Sequence, residues 1–511
     1  MLKLIKIALL GMALSASFLS DKVHAEVSIY ATVGEMRESV AVPGATIQTL
    51  GYYEPGDGGG VTYTVVDVSE VAINAQADHM LASGYVAEMK VGANLTPRMF
   101  GAVGNGQADD TEAFNSLDRM IAEIDGPVHV HLPQGIFMVN PLKTPLVEMA
   151  PGKLRRCSLL TLRNDFSTFT ARGTISVMPG IDYTVNAKDG PEWLGYEWYW
   201  SVILIRANHC TVDGIKFDGK DTGTLHNADD KGYYPRWSGV SAFGEWDNKT
   251  YHVGNRVINS VIIRGGGHGV SFQYQKQALI ANNYFEDTTG NGFSHSDDSS
   301  IIGNVAVNSH DAPYIANGRC NNIVIANNLS RGTTNGSGID IVGAFSVLVQ
   351  GNIIDDSAAW GILVSYSAQQ KIHSGDVLIT DNLFIRNCRS LDTPINAEVC
   401  VGLPWDGPED RLAAIDVVVK NNKFILDGTH GSHKGRFVVL GKGTERVQVV
   451  GNIVNGKPNK EGEVLAITSP TRDLAITGNS WVPFFGPNMV EISVNATVEG
   501  SSDISGNIGI R

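Results

Sequence analysis

The sequence is poor in cysteine, in charge and in long apolar runs, and each scarcity excludes a class of protein. Only 5 of its 511 residues are Cys, and 18% are charged. An odd number of thiols without a Cys-x-x-Cys pair excludes a disulfide framework and a cysteine metal site. The net charge of −14 disfavours nucleic acid or an anionic membrane as the main partner. With 43% hydrophobic residues, the chain is too apolar to be largely disordered.

The N terminus carries the one apolar stretch that indicates targeting. Lys3 and Lys6 precede an apolar run over residues 7–19, which is shorter than the roughly 20 residues of a membrane span. Val23-His24-Ala25 fits the small-residue rule for signal-peptide cleavage. We therefore expect a secreted or periplasmic protein with no membrane partner. The cysteines are expected to be buried packing residues, and only Cys388 and Cys400 are close enough in sequence to suggest a disulfide.

Internal repetition is the strongest positive signal in the sequence. A short Val/Ile-rich run, an Asn and a further apolar residue recur at spacings of 21 to 40 residues. The repeated residues are Asn283, Asn304, Asn328, Asn352, Asn382, Asn422, Asn452, Asn479 and Asn507. A period of this size with short strands indicates a parallel β-solenoid in which each repeat forms one coil.

Asparagine suits this position because its side chain can pair from coil to coil. Solenoid coils stack about 4.8 Å apart, so Asn amides on one corner can form a continuous hydrogen-bonded ladder. An unsatisfied buried amide costs about 1–3 kcal/mol, which favours such a ladder over isolated Asn residues. We therefore predict that the repeated Asn side chains stack on a single corner of the solenoid.

A helix is predicted ahead of the repeats. The segment DDTEAFNSLDRMIAEI (109–124) has the periodicity of an amphipathic helix, and we expect this helix to cover the open end of the first coil.

Two segments ahead of the repeats resemble parts of known families. FGAVGNGQADDTEAF (100–114), which overlaps the predicted helix, resembles the opening motif of the pectate-lyase-like superfamily of right-handed parallel β-helices. LGYYEPGDGGGVTYTVVD (50–67) resembles the small β module of phage tailspike-type depolymerases and bacterial exopolysaccharide-modifying enzymes.

The resemblance implies a fold, a domain order and a class of substrate. It implies an all-β, right-handed parallel β-helix with an N-terminal capping helix. We expect a signal peptide over 1–25, a small N-terminal β module over 26–97 and the β-helix domain over 98–511. The superfamily contains hydrolases, lyases and epimerases that act on polysaccharides, so an extracellular polysaccharide is the expected partner. No cofactor is expected, except Ca²⁺ if the reaction is a lyase reaction. The oligomeric state is left open.

In such helices the strand that follows the Asn-corner strand lines the substrate groove. The corresponding strands here are 238–245, 268–275, 291–298, 312–319, 337–344 and 360–367. They are aligned on Gly239, Gly269, Gly292, Pro313, Gly338 and Gly361. In this alignment the outward positions form a polar stripe: Glu245, Gln273, Gln275, Ser294, Asp298, Asn317, Arg319 and Asp340. His295 lies at a strand end, and His310 and Asp311 lie in the adjoining loop.

Carboxylates of this stripe indicate glycoside hydrolysis. That reaction uses one protonated carboxyl as acid and a second carboxylate as base or nucleophile. Asp340 is the first candidate because it is the lone charge on the apolar strand Ile-Asp-Ile-Val, a setting that raises a carboxyl pKa. Its partner is left open among Asp298, Asp311, Asp297 and Glu245.

Two other functions remain open. A lyase or C5-epimerase removes a proton beside a uronate carboxylate and needs a base with cations, for which His295, His310, Tyr314 and Arg319 are the candidates. The stripe contains one Arg and no Lys on an acidic chain, so hydrolysis is favoured. The third alternative is a glycan-binding or assembly protein without catalysis.

Aromatic residues cluster just before the stripe. Five of the eight Trp residues lie between positions 193 and 246. The apolar faces of sugar rings stack on aromatic side chains. We therefore expect a groove wall beside Gln273 and Asn317, and its expected members are Tyr233, Tyr234, Trp237 and Trp246.

Overall fold

The protein is described from a computed structural model. The structure describes residues 27–90, 92–150, 153–181, 185–186, 199–220, 232–233, 236–244, 249–390, 395–402, 411–428, 435–458, 461–482, 490–494 and 496–510. The expected signal peptide lies outside these residues. Within them, no helix is long and apolar enough to cross a membrane. The chain divides into two units, residues 1–92 with 98–101 and residues 93–97 with 102–511. The domain boundaries stay predictions.

The first unit is built around a small β-sheet. Its strands, in spatial order, are Val27–Tyr30, Thr46–Thr49, Thr62–Val66, Val86–Lys90 and His79–Met80. The short helix Val33–Arg37 begins at Thr32, whose hydroxyl accepts the Glu35 N–H at 3.2 Å, and Val68–Glu70 forms a 3₁₀ turn. The carboxylate of Asp57 accepts backbone N–H groups of the Gly-rich loop around it, which fixes the turn between two strands.

The second unit is a right-handed parallel β-helix, as predicted. Three long sheets run along it, and each coil adds one strand to each sheet.

Sheet 1 contains Asn94–Leu95, His129–Leu132, Thr168–Ala171, Thr211–Asp213, His252–Val253, Arg256–Ile258, Gln275–Lys276, Leu279–Ala281, Asp297–Ile302, Asn321–Ala326, Phe345–Gln350, Ser374–Thr380, Ala414–Lys420, Thr444–Val450, Thr471–Thr477 and Val498–Ser505. Sheet 2 contains Asn105–Asp109, Ile136–Val139, Thr174–Val177, Lys216–Asp218, Val261–Ile263, Tyr284–Glu286, Val305–Val307, Leu329–Arg331, Ile353–Asp355, Leu383–Ile385, Lys423–Asp427, Ile453–Lys457 and Ser480–Trp481.

Sheet 3 contains Leu146–Ala150, Lys153–Leu162, Tyr199–Ile205, Arg236–Phe243, Val270–Gln273, Asn291–Ser294, Tyr314–Asn317, Ile339–Val342, Ile362–Ser365, Val399–Val401, Val438–Leu440, Glu463–Ile467 and Glu491–Val494. The first two of these strands pair antiparallel. A separate pair, Val185–Asn186 with Gly232–Tyr233, is also antiparallel.

The predicted helix forms over Thr111–Glu123. Its buried face includes Ala113, Phe114, Leu117 and Ile121. The Asp118 carboxylate accepts the Thr161 N–H at 2.6 Å, which ties the helix to the strand Lys153–Leu162. The 3₁₀ turns Pro97–Phe100 and Pro141–Lys143 lie on either side of it in the sequence.

The Asn ladder is confirmed. Each repeated Asn lies at the corner between sheets 1 and 2. From Asn304 onward its Oδ1 accepts the backbone N–H of the Asn one coil earlier at 2.9–3.0 Å, and the Oδ1 of Asn283 accepts the Ser260 N–H at 2.9 Å. The Asn283 N–H starts this chain and the Asn507 side chain ends it. The ladder sets the register of the coils because each side chain satisfies the backbone of its neighbour.

The suggested disulfide between Cys388 and Cys400 is wrong. Both are free and buried, as are Cys210 and Cys320. The Cys388 thiol donates instead to the Ala397 carbonyl, with a sulfur–oxygen distance of 2.9 Å.

The buried carboxyl of Glu398 should make the stability of the protein depend on pH. Its two oxygens accept the Asn387 backbone N–H and side-chain amide. Burial, opposed by these hydrogen bonds and assisted by the charges of Asp355 and Asp427, raises its pKa from 4.5 to about 8. Between those values the unfolded chain releases a proton that the folded chain retains, so stability should decline as the pH rises from about 4.5 to 8.

Glu398→Gln should remove the part of this decline that Glu398 contributes, because Gln cannot ionise; Asp340, whose pKa burial raises from 3.8 to about 7, contributes over an overlapping pH range. Urea unfolding of the wild type and the variant at acidic, neutral and mildly alkaline pH measures the effect. A wild type whose stability changes with pH as weakly as that of Glu398→Gln would contradict the assignment of a proton to buried Glu398.

Candidate functional site

The strands of sheet 3 position the candidate residues. Their register corrects the sequence alignment of one segment, 291–298. Val270, Asn291, Tyr314 and Ile339 face one another in successive coils, whereas the sequence alignment placed Phe293 at this level. The coil starts two residues earlier because the Asn291 side chain turns inward and its Oδ1 accepts the Val270 N–H at 2.9 Å. Since strand faces alternate with period two, Ser294 still points outward, but at the level of Gln273 and Asn317.

The outward face of sheet 3 ends sooner than the sequence predicts. The chain turns into sheet 1 at residues with left-handed backbone, among them Tyr274 (φ 53°) and His295 (φ 51°). Asp298 therefore belongs to sheet 1, where it is exposed and accepts a hydrogen bond from the Asn322 amide at 2.7 Å. Gln275 is buried and accepts from the Asn255 amide. Asp298 and Gln275 are thus removed from the predicted stripe.

The predicted aromatic wall is not formed by Trp237. Its side chain is 1% exposed and meets Trp200 edge to face, with ring centroids 5.8 Å apart, so it offers no face to a sugar. Tyr314 is also buried, and its hydroxyl donates to the carbonyls of Asn304 and Leu329. Both side chains take inward positions on sheet 3, where large apolar surfaces gain most from burial.

Four other predicted residues fall outside the part that the structure describes. They are Glu245, Tyr234, Trp246 and the side chain of Tyr233. His310 is described; it lies in the loop between sheets 2 and 3, and its Nδ1 is 3.2 Å from the Thr334 hydroxyl.

A groove of about 460 Å³ lies on the outer face of sheet 3. Gln273, Ser294 and Asn317 form a polar row across its floor, one residue from each of three coils. The residues 366–370 line it as well. The structure thus brings together two predicted substrate-binding residues, Gln273 and Asn317, with His295. We call this cavity the groove.

His295 marks the corner where the groove meets sheet 1. Its ring stacks on Tyr274 at a centroid distance of 4.9 Å, and its Nδ1 is 2.9 Å from the Ser294 hydroxyl. Burial lowers the pKa of His295, and the positive charges of Arg319 and Lys249 lower it further against a hydrogen bond with Gln370 that raises it. The imidazole is therefore held neutral at neutral pH.

Asp340 lies beside the groove and carries a perturbed carboxyl. It faces outward between Ile315 and Leu363 of the adjacent coils, and Ile315 lines the groove. Its Oδ1 is buried and accepts no hydrogen bond from the described residues. Burial and then the nearby negative charge of Asp311 raise the pKa of Asp340 to about 7, against a hydrogen bond from Ser337 that lowers it.

Asp311 is the carboxylate that the structure brings to Asp340. It is exposed, and its Oδ1 accepts the Ala312 N–H at 2.9 Å. A Cβ on Gly336 would lie 2.5 Å from that same oxygen, so the side chain of Asp311 occupies space that only glycine leaves free in the next coil. Of the four possible partners of Asp340, the described structure supports Asp311.

Trp360 is an aromatic neighbour of this site that the sequence analysis missed. Its carbonyl accepts the Gly338 N–H at 3.0 Å, and its indole N–H donates to the Ile395 carbonyl at 2.9 Å. The partly exposed ring packs against an apolar cluster that contains Leu363, the register neighbour of Asp340. Its position directly before Gly361, in a strand already aligned with that of Asp340, is the sequence signal that could have identified it as a neighbour.

The fold defines a right-handed parallel β-helix protein with a groove on one sheet. Residues 236–410 match a family described as periplasmic copper-binding protein (NosD), a stretch that is less than half of the chain. No curated protein matches the sequence.

Two solved structures are similar to most of the chain. The enzymatically active domain of tailspike protein 2 of bacteriophage CBA120 has a TM-score of 0.55 and 13% identity, over 92% of this chain and 64% of that chain. The A-module of a mannuronan C-5 epimerase from Azotobacter vinelandii has a TM-score of 0.51 and 14% identity, over 81% of this chain and 97% of that chain. At these identities the likeness shows the fold alone, and it confirms the resemblance to parallel β-helix proteins.

The described residues do not fit a copper centre. No three or more His, Cys, Asp or Glu side chains among them are grouped so that they could hold a metal ion. Burial raises the pKa of the Cys210 and Cys320 thiols to about 12, which disfavours the thiolate that a metal requires.

Proposed function

We propose that the protein is an exported glycan hydrolase that cleaves an extracellular polysaccharide. One observation carries the proposal: Asp340 has a carboxyl pKa raised to about 7 next to an exposed second carboxylate and beside a polar groove. Two carboxyls in such different environments are the arrangement that glycoside hydrolysis uses.

Each residue of the site has a distinct role in the proposed hydrolysis. Asp340, protonated below about pH 7, donates its proton to the oxygen of the glycosidic bond as that bond breaks. Asp311 supplies the negative carboxylate that activates water or attacks the anomeric carbon. Gln273 and Asn317 offer amide donors and acceptors to sugar hydroxyls, and the Trp360 ring offers an apolar face.

The comparisons and the N-terminal sequence support the wider setting of the proposal. One similar structure is an enzymatically active tailspike domain and another a mannuronan epimerase. The matched family is described as periplasmic. With the signal-peptide pattern of residues 1–25, we place the protein outside the cytoplasm.

A second candidate is a lyase or C5-epimerase, and the His295 corner favours it. A neutral imidazole is a competent base, and Arg319 lies close enough to influence it electrostatically. The buried Tyr314 is removed from this set. The pairing of Asp340 with Asp311 favours hydrolysis over this alternative. A lyase or epimerase reaction at His295 would make no use of the raised carboxyl pKa of Asp340.

Incubation of the purified protein with the producing organism's own polysaccharide tests the proposal. Hydrolysis gives shorter chains with new reducing ends and without the ultraviolet absorbance of an unsaturated uronate. An increase in that absorbance supports the lyase, and a changed uronate composition at constant length supports the epimerase. Retention of the protein on an unchanged polymer would leave only a binding function.

A further inference from the structure

We propose that the outer face of sheet 2 joins two copies of this chain in an antiparallel dimer. The two-fold axis runs along the strand direction, between the strands Leu329–Arg331 and Ile353–Asp355. The outward side chains of sheet 2, from the strand Val261–Ile263 to the strand Ile453–Lys457, are called the dimer face. The inference is independent of the proposed hydrolysis, because the dimer face contains neither the groove nor Asp340.

The first argument is that the dimer face carries a continuous apolar row. In each strand a buried residue is flanked by two outward residues, and the first outward residues of successive strands lie side by side. Six consecutive members of this row are Val261, Tyr284, Val305, Leu329, Ile353 and Leu383. The row is about 24 Å long at one coil per 4.8 Å. Ile353 is 40% exposed, and Ile453, further along the same row, is 44% exposed. Contiguous exposed apolar surface of this kind is typical of an interaction site.

The second argument is that the apolar row is complementary to itself. A two-fold axis along the strands reverses the order of the coils but keeps each position along the strand. The row therefore meets the row of the second copy, with Leu329 opposite Ile353 and Val305 opposite Leu383. A second copy of this chain is thus an occupant that fits the face along its whole length.

The third argument is that the same axis pairs the charges beside it. Arg331 and Asp355 hold equivalent positions on the two strands next to the axis, so each lies opposite the other residue of the second copy. Within one copy they already pair at 3.0 Å, and the two pairs together form an alternating group of cations and anions. Moving the axis by half a coil would place Arg331 opposite Arg331 of the second copy, or Asp355 opposite Asp355. Charge therefore selects one register.

A second charge match, between Glu286 and Lys423, lies further from the axis. The ammonium group of Lys423 pairs with no carboxylate of the described residues. Glu286 accepts a hydrogen bond from the Tyr284 hydroxyl at 3.0 Å. Within one copy Glu286 and Lys423 are five coils apart, about 24 Å. The proposed axis brings their strands opposite each other, so Lys423 of the second copy meets Tyr284 and Glu286.

The size of the dimer face sets the expected strength of the contact. Eight coils contribute two outward side chains each, which is fewer than the about 20–30 residues a side of a standard interface. We therefore expect a reversible dimer with a Kd on the order of 10 µM. The groove lies on sheet 3, so the contact leaves the groove of each copy outside the dimer face.

Charge reversal on the dimer face tests the register. Sedimentation equilibrium of the full chain measures the Kd of the dimer. Glu286→Lys and Lys423→Glu should each raise this Kd by about tenfold or more, because the two-fold axis sets like charges together at two contacts. An equimolar mixture of the two variants should dimerise again, because both contacts then join opposite charges. Since Glu286 and Lys423 are far apart within one copy, only a contact between copies explains this recovery.

Ile353→Asp gives a second measurement near the axis. It should raise the Kd by about tenfold or more, because it places a carboxylate in the apolar row. Ile504→Asp is the matched control, since Ile504 is 43% exposed but lies on sheet 1, and it should leave the Kd unchanged. A monomer at every concentration would overturn the proposal and leave the face to a different partner. A trimer would also overturn it, as would charge variants that dimerise like the wild type or a mixture that does not recover.

Discussion

Replacing Asp340 with Asn should lower turnover by about 10²–10⁴ and leave glycan binding intact. Asn keeps the shape of the side chain between Ile315 and Leu363 but removes the proton that would be donated to the leaving oxygen. Since the pKa of Asp340 is raised to about 7, the wild-type rate should fall as the pH rises through this value. Steady-state kinetics across pH, together with binding measurements on the variant, check both effects.

Asp376→Asn is the matched control for this experiment. Asp376 is exposed on sheet 1, where its carboxylate accepts a hydrogen bond from the Ser346 hydroxyl at 2.9 Å, and its replacement should leave turnover unchanged. Infrared difference spectra should show a protonated carboxyl band near neutral pH that Asp340→Asn lacks. Full turnover in Asp340→Asn would remove Asp340 from catalysis.

Replacing Asn328 with Ala should destabilise the β-helix by about 3 kcal/mol, since buried groups that lose their partners cost about 1–3 kcal/mol each. Asn328 Oδ1 accepts the N–H and the side-chain amide of Asn304, both at 2.9 Å, and its own amide donates to Ile301. Ala would leave these groups unsatisfied in a dry corner. Urea unfolding measures the loss of free energy.

Asn321→Ala provides the comparison in the same coil. Asn321 is exposed at the start of a sheet 1 strand, so its replacement should change stability by less than about 0.5 kcal/mol. Equal stability of the Asn328→Ala and Asn321→Ala variants would mean that the ladder does not stabilise the coils.

The repeat made the coil architecture predictable, while the corners between sheets were not. The Asn ladder follows from the sequence because one residue type at a regular interval has one physical explanation. The turn from sheet 3 into sheet 1 is not marked by one repeated residue type. His295 and Tyr274 adopt a left-handed backbone there without being Gly or Asn. Asp298 was therefore assigned to the wrong sheet.

The candidate site was predictable in part for the same reason. Asp340 was identified because a lone carboxylate among apolar residues has a pKa that burial must raise. Trp237 was misassigned because the sequence shows an aromatic residue but not whether its strand position faces inward. Asp311 was left as one of several partners because only the coil register shows that Gly336 makes room for it.

Cleavage in water enriched in the heavy oxygen isotope tests the central claim most directly. If Asp340 and Asp311 hydrolyse a glycosidic bond, mass spectra of the products from the producing organism's polysaccharide should show one heavy oxygen at each new reducing end, and Asp340→Asn should form little of this product. Products without the label that carry an unsaturated uronate would contradict hydrolysis and assign the groove to a lyase.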